Sequence, residues 1–491
     1  MKKQQKNILI ALAALVFLGA VAAVLMLTGV PAEEPEEDTS STVSTLTEKV
    51  LDYTIDDIAS IDFNSYVLDE EFTLIPTKLN DDVETNTTFT IQGWEDEDVI
   101  TSSALGLAQR FYSMICLKEI GQVDDLAEYG LSGNGEYKGV LHFTDGTDKT
   151  VIVGIEAGET AGRYVLVDGT VSIASFGTYL GYSKYNYINT SNLITIEDPS
   201  EENVTDIAQT ISTLDHLYLT GTNFPEDIRI EYEEKSILVY AMVTPIYAGM
   251  NTNVAESVID KFQSVSATGV VAVKATEAEY AEFGLDEPSA VADYSVNGER
   301  HVITLGKKHA GAYYATIDDS DVIYTLNADD VSEWAEADVF TLRDGFIALP
   351  TIMNVERLTV ESADSTEVYN VTREVDEKRT TESSTVYNYF PTLNGQEISY
   401  EKSYQPFYRN MIAIYTLHED VREPDGDALL RLKFEFFDDS EPLEIVYYAD
   451  SAERRCTATL NGRPSGVVRY SEVESLLNLK PKLANNENLK D

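Results

Sequence analysis

The chain is short of basic residues, cysteine, histidine and tryptophan, and each shortage removes a class of function. Its 491 residues include 35 Lys and Arg against 85 Asp and Glu, a formal charge of −50. A surface of that sign repels nucleic acid, anionic lipid and phosphate polymers, so no nucleic-acid partner is expected. Two cysteines, Cys116 in an apolar helical stretch and Cys456 in a strand-like one, cannot build a disulfide framework in so long a chain. They read as buried free thiols. The five histidines, His142, His216, His301, His309 and His418, show no metal-ligand spacing. No nucleophile elbow, P-loop or dinucleotide-binding glycine pattern is present. Acidic clusters at Asp145–Asp148, Asp318–Asp321 and Asp425–Asp427 fall at turns, and none follows the EF-hand order. No catalytic, cofactor-binding or metal-binding residue is therefore assigned, and no cofactor is expected. Trp94, Trp334 and the 29 tyrosines suit a glycan-binding face, although tyrosine is equally an ordinary strand residue.

What is present begins at the N-terminus. Lys2, Lys3 and Lys6 precede 23 uncharged residues, Ile8 to Val30. At about 1.5 Å per residue, such a helix spans a hydrocarbon core of roughly 30 Å. The lysines favour the cytoplasmic side. The expectation is a single-pass protein in the cell membrane with its C-terminal bulk outside the cytoplasm. A cleaved signal peptide remains the alternative, with Val30 and Ala32 at the −3 and −1 positions of the cut, although Pro31 between them opposes it. Without the three lysines, 32 basic and 85 acidic residues remain, a net −53 on the exported part. Residues 31–50 are acidic, rich in Ser and Thr, and lack aromatics, so they read as a disordered stalk.

The rest repeats itself. Ala127-Glu128-Tyr129-Gly130-Leu131 recurs as Ala281-Glu282-Phe283-Gly284-Leu285. A hairpin pattern from Tyr137 to Gly154 turns at Asp145-Gly146, and its counterpart from Ala290 to Gly306 turns at Asn297-Gly298. These dipeptides supply the positive φ angles of type I′ turns. Tyr164 to Asp168 matches Tyr314 to Asp318, and a worn third copy covers Leu432–Tyr448 and Thr457–Gly462. Ahead of each set of strands lies one amphipathic helix. It is expected over 103–117, over 253–265 with Asn253 as its cap, and around Phe407, Met411 and Ile414. Opening strands are expected at Ile58–Phe63, His216–Leu219 and Arg357–Val360. The expected fold class is α+β: tandem repeats of antiparallel β-hairpins packed on one amphipathic helix, preceded by a single transmembrane helix. The parts are a cytoplasmic tail 1–7, an anchor 8–30, a stalk 31–50, units 51–183, 205–340 and 350–479, and a polar tail 480–491.

The order of strand, helix, aromatic-Gly-Leu turn and two hairpins resembles the DUF4340 family, a domain of unknown function. Phe283-Gly284-Leu285-Asp286-Glu287-Pro288, Leu305-Gly306, Tyr314 and Val322-Ile323-Tyr324 carry the likeness in the second unit. The first unit departs at Ser132-Gly133-Asn134, and the third matches only in its strands. The family has no assigned activity. The resemblance implies an extracytoplasmic partner of ABC transporters of the gliding-motility auxiliary type. The turn residues themselves read as structural: Gly130 and Gly284 close a turn, Leu131 and Leu285 plug the core, and Pro288 stiffens the hairpin. The functional expectation is a non-enzymatic accessory or scaffold subunit of a membrane complex. The alternative is a surface binding module for a glycan, peptide or small solute.

Overall fold

Period-two segments outweigh period-3.6 segments along the chain: strand makes up 45% of the structure and helix 20%. The computed structural model describes residues 48–78, 87–158, 161–196, 214–450 and 454–489. The expected tail 1–7, anchor 8–30, stalk as far as residue 47 and start of the second unit at 205–213 lie outside these. The α+β expectation is corrected to a mainly antiparallel β architecture. Among the described residues, no helix is long and apolar enough to cross a membrane.

Three large sheets follow one another. In the first, the order is Thr87–Ile91, Glu70–Lys78, Ile58–Ser65, Tyr137–Phe143, Asp148–Glu156, Arg163–Val167, Thr170–Ala174 and Cys116–Gly121. The second and third have nine strands each in the corresponding order, with a further short strand at the outer edge. In each sheet the opening strand runs outward as a meander. The chain then crosses to the opposite edge and re-enters beside the opening strand. The outward meander is what the hairpin reading lacked. Glu70–Lys78 reads EEFTLIPTK, and its charged ends and internal Pro76 hide the alternation that burial of Phe72 and Leu74 reveals.

The crossing segments carry the helices. Helix α1 (Thr101–Tyr112) buries Ala104, Leu107, Ala108 and Phe111. Gly139, on the facing strand, lets the Phe111 ring sit where a Cβ would be 2.4 Å away. Helix α2 (Thr252–Gln263) buries Val258 and Phe262, and Phe262 stacks on Tyr294 with ring centroids 4.1 Å apart. A further helix, α3 (Glu277–Phe283), leads into the Phe283-Gly284-Leu285 turn, and α4 (Ala328–Ala335) and α5 (Val339–Leu342) close the second unit. Helix α6 (Gln405–Ile412) buries Phe407 and Met411, with Pro406 in its first turn. Each such aromatic withdrawn from water contributes about 1.5–3 kcal/mol.

Four expected helix details change. The first helix stops at Tyr112, not 117, because Cys116 begins an edge strand paired with Thr170–Ala174. Cys116 is therefore in a strand and half-buried, whereas Cys456 is buried, and neither forms a disulfide. The second helix is capped by Asn251, whose side chain accepts from the Asn253 amide. It ends at Gln263, and Ser264-Val265 pair with Ile194-Thr195. Residues 480–484, assigned by composition to a polar tail, complete a final helix, α7 (Tyr470–Ala484), and Leu483 is buried.

Neighbouring sheets interlock. Val270 and Val273 of the second unit pack on the first core. At the next joint, the Tyr247 amide donates to the Pro464 carbonyl at 2.9 Å. The Arg463 guanidinium lies 4.1 Å from the Tyr247 ring centroid and donates to the Val243 carbonyl. Arg343, between the two units, is buried and donates to the carbonyls of Ser465, Phe346 and Asp344. Burial lowers its pKa to about 10 despite Asp344 nearby, so it stays charged at neutral pH.

Candidate binding cleft

The residues singled out in the sequence do not converge. His142 lies in its strand between two carboxylates, with Nδ1 2.7 Å from Asp148 and Nε2 3.0 Å from Asp62. His301 meets Asp318 at 2.9 Å and His216 meets Asp293 at 3.5 Å. His309 stacks on Tyr314 and His418 on Phe340. Three of them pair with carboxylates on or just past neighbouring strands, His309 stacks within its own sheet, and His418 reaches a helix of the preceding unit. Asp145 accepts from the Thr147 amide and hydroxyl, closing its turn. Among the described residues, no three His, Cys, Asp or Glu side chains gather as a metal site. Trp334 is core, and Trp94 is half-buried under Lys184, whose Nζ is 5.3 Å from the ring centroid.

The aromatic-Gly-Leu turns have a packing role. Gly130 and Gly284 take φ of 65° and 75°, and Leu131 and Leu285 are buried. Tyr129 packs on Tyr164 at 4.9 Å and Phe283 on Tyr314 at 4.5 Å. A Cβ on Gly154 would lie 2.1 Å from the Tyr129 carbonyl oxygen, and one on Gly306 2.3 Å from that of Phe283. The turn thus lies flat on a strand that must carry glycine there. Lys307 folds over Gly284 and donates to the Glu282 carbonyl at 2.6 Å, satisfying the end of α3.

A buried Lys-Ser group also escaped the sequence. Lys480 on α7 is 5% exposed, with Nζ 2.7 Å from Ser362 Oγ, 3.0 Å from Ser365 Oγ and 3.9 Å from Glu367. Glu367 also accepts from the Tyr369 hydroxyl at 2.8 Å. Two hydroxyls and a carboxylate within reach of one buried side chain make an anchor. It pins α7 to the hairpin.

A cleft at the joint of two units combines an apolar floor with polar groups. It lies between the second and third units, encloses about 570 Å³, and is floored by Phe224, Ile228, Ile246, Val339, Phe340 and Val421. Its walls are fixed from both sides. Asn223 donates to the Ala335 carbonyl at 2.8 Å, tying the Phe224 loop to the end of α4. Asp338 caps α5 by accepting from the Thr341 amide at 2.7 Å. Phe340 on α5 stacks on His418 at 5.2 Å, which brings Asp420 and Val421 over the opening. Among the described residues, four carboxylates, of Glu226, Glu336, Asp338 and Asp420, line the cleft, and no Lys, Arg or His does. Glu336 accepts from Lys308 at 2.7 Å and from the Tyr313 hydroxyl at 2.8 Å, and these bonds hold its pKa below the usual carboxylate value.

The volume is in the range of ligand pockets. Chemically the cleft suits an apolar group next to a cationic or hydrogen-bond-donating one, and it presents no nucleophile paired with a base. Its parts are up to about two hundred residues apart in sequence, and each apolar member looks like ordinary core. No spacing signal marks it.

No curated protein and no solved structure matches the chain. Residues 251–400, from α2 through the outer meander of the third sheet, match the family model described as "Domain of unknown function (DUF4340)".

Proposed function

We propose that the chain is a non-enzymatic extracytoplasmic protein held at the cell membrane by its apolar segment 8–30, where it acts as an accessory or scaffold subunit of an ABC-transporter-type complex. The observation that carries this reading is the locked joint between the second and third units. Arg343 and Arg463 spend their hydrogen bonds on backbone carbonyls across or beside that joint, which fixes the units as one surface. A preorganised surface loses little entropy on binding a partner. The three sheets belong to repeats of one DUF4340-like plan, which multiplies that surface.

Co-purification from detergent-solubilised membranes tests the proposal. Wild-type protein should hold a membrane partner in fixed stoichiometry, and Asp420→Lys, at an exposed position of the same joint, should weaken that capture while melting at an unchanged temperature. Wild-type protein that emerges alone from native membranes under mild detergent contradicts the proposal. The alternative, a surface binding module, is favoured by one observation, the acid-lined apolar cleft. Its ligand is a peptide or small solute with an apolar body and a positive charge.

A further inference from the structure

The two ends of the first sheet differ in chemistry. At one end lie the turns Asp145-Gly146 and Asp168-Gly169, with Asp57, Asp148 and Lys149 beside them. The other end mixes carboxylates with exposed apolar side chains. There the turn after Ser65 exposes Tyr66, Val67 and Leu68 in succession, Val67 to 58%. Ile155 and Leu117 are exposed as well, and these five are all the large exposed hydrophobics among the described residues of the first unit.

Strand register places them in one row. The Tyr66 amide donates to the Glu136 carbonyl, and the Glu136 amide to that of Val153, two residues before Ile155. Glu136 also accepts from Arg163, which pairs with Ala174, which in turn pairs with Cys116. Leu117 follows, and a Cβ on Gly162 would lie 2.7 Å from its Cδ1. The row ends where Ile115 bridges Lys49. Lys49 is two residues past the 47 whose sequence contains the apolar segment 8–30. The described chain thus enters the first sheet at this end, at Lys49, and residues 31–48 separate Lys49 from the apolar segment in sequence.

We propose that this end of the first sheet rests on the lipid surface, with Tyr66, Val67 and Leu68 entering the headgroup region. The inference rests on the reading that residues 8–30 hold the chain at a membrane. Tethering supplies the high local concentration that a small apolar contact needs. Tyr66 has the amphipathic ring favoured at membrane interfaces, and a shallow contact of this kind reaches about 5–10 Å into the headgroup boundary. The carboxylates at this end are partly engaged: Glu136 by Arg163, and Glu70 by the Ser183 hydroxyl and the Lys184 amide. Asp69, Glu71 and Glu156 face water. The contact is thus driven by apolar burial and opposed by negative charge, so it favours neutral lipid.

The test uses the full chain in vesicles of phosphatidylcholine containing brominated acyl chains. Cys116→Ser removes the more accessible thiol, and burial keeps the Cys456 thiol protonated, with its pKa raised to about 12. An environment-sensitive fluorophore is placed at Val67→Cys or, as a control at the far end, at Asp145→Cys. Bromolipid should quench the label at Val67 by about half and leave that at Asp145 unchanged, as expected of a shallow interfacial contact. Anionic lipid should weaken the quenching and added salt should restore it. Vesicle-bound protein with no quenching at Val67, or with equal quenching at both sites, overturns the inference and leaves membrane attachment standing. Protein that does not sediment with vesicles overturns both.

Discussion

His142 shows how single residues settle into this acidic sheet. Its ring bridges Asp62 and Asp148 on the two flanking strands. Hydrogen bonds to Asp62 and then Asp148 raise its pKa above 6.5, outweighing its partial burial. Burial pulls Asp62 upward, but bonds from His142 and Thr73 more than offset this and leave its pKa lowered. A raised histidine pKa adds stability that is complete below the unfolded value of about 6.5 and is lost as pH rises through the folded value. His142→Gln should therefore lower stability by about 0.5–1 kcal/mol at pH 5.5, a figure discounted for the ring's partial exposure, and by almost nothing at pH 8.5. Urea melts of both proteins at the two pH values measure this. An equal loss at both would show that packing, not charge, holds the ring.

At the scale of elements, the aromatic-Gly-Leu turn and its strand glycine form one device. The clash of a Cβ on Gly306 with the Phe283 carbonyl cannot be relieved by moving a side chain, since both sides are backbone. Gly306→Ala should cost about 1–3 kcal/mol, as overpacking does. Gly298→Ala, at a hairpin turn with φ of 82° and open space around it, should cost less, about 1 kcal/mol. Urea unfolding followed by the fluorescence of Trp334, in the core of the same unit, separates them. Equal midpoints would remove the close approach from the argument.

The same elements show what a sequence reveals. Hairpin turns such as Asn297-Gly298 and Asn461-Gly462 are legible because few residues adopt φ near 50° followed by φ near 80°. Helix ends are less so. The apolar run through Met114 and Ile115 continues past Tyr112, and only the pairing of Cys116 with Ala174 makes it a strand. The outward meanders were missed for a related reason. Their alternation is interrupted by Pro76 in the first sheet and Pro391 in the third, each tolerated where the strand lies near the sheet edge.

Across the whole molecule, the cleft on which the proposed function draws lies between units, where sequence patterns are silent. The cleft floor joins Phe224, Ile246, Phe340 and Val421 from four separate segments, and its charge comes from carboxylates indistinguishable from the rest of an acidic surface. The apolar row at the first sheet is hidden in the same way. The sequence leaves Tyr66-Val67-Leu68 unmarked, and register alone shows it to be a turn aligned with Leu117 and Ile155. On the proposed reading, one end of the protein sits at the membrane and a partner binds at the joint further along the chain. Photo-crosslinking in native membranes tests that account most directly, with benzoylphenylalanine in place of Phe340 in the full chain. The account predicts one discrete adduct with an integral membrane subunit, diminished when Asp420→Lys reverses charge at the opening. No adduct at Phe340, or an undiminished adduct in the Asp420→Lys background, would contradict it.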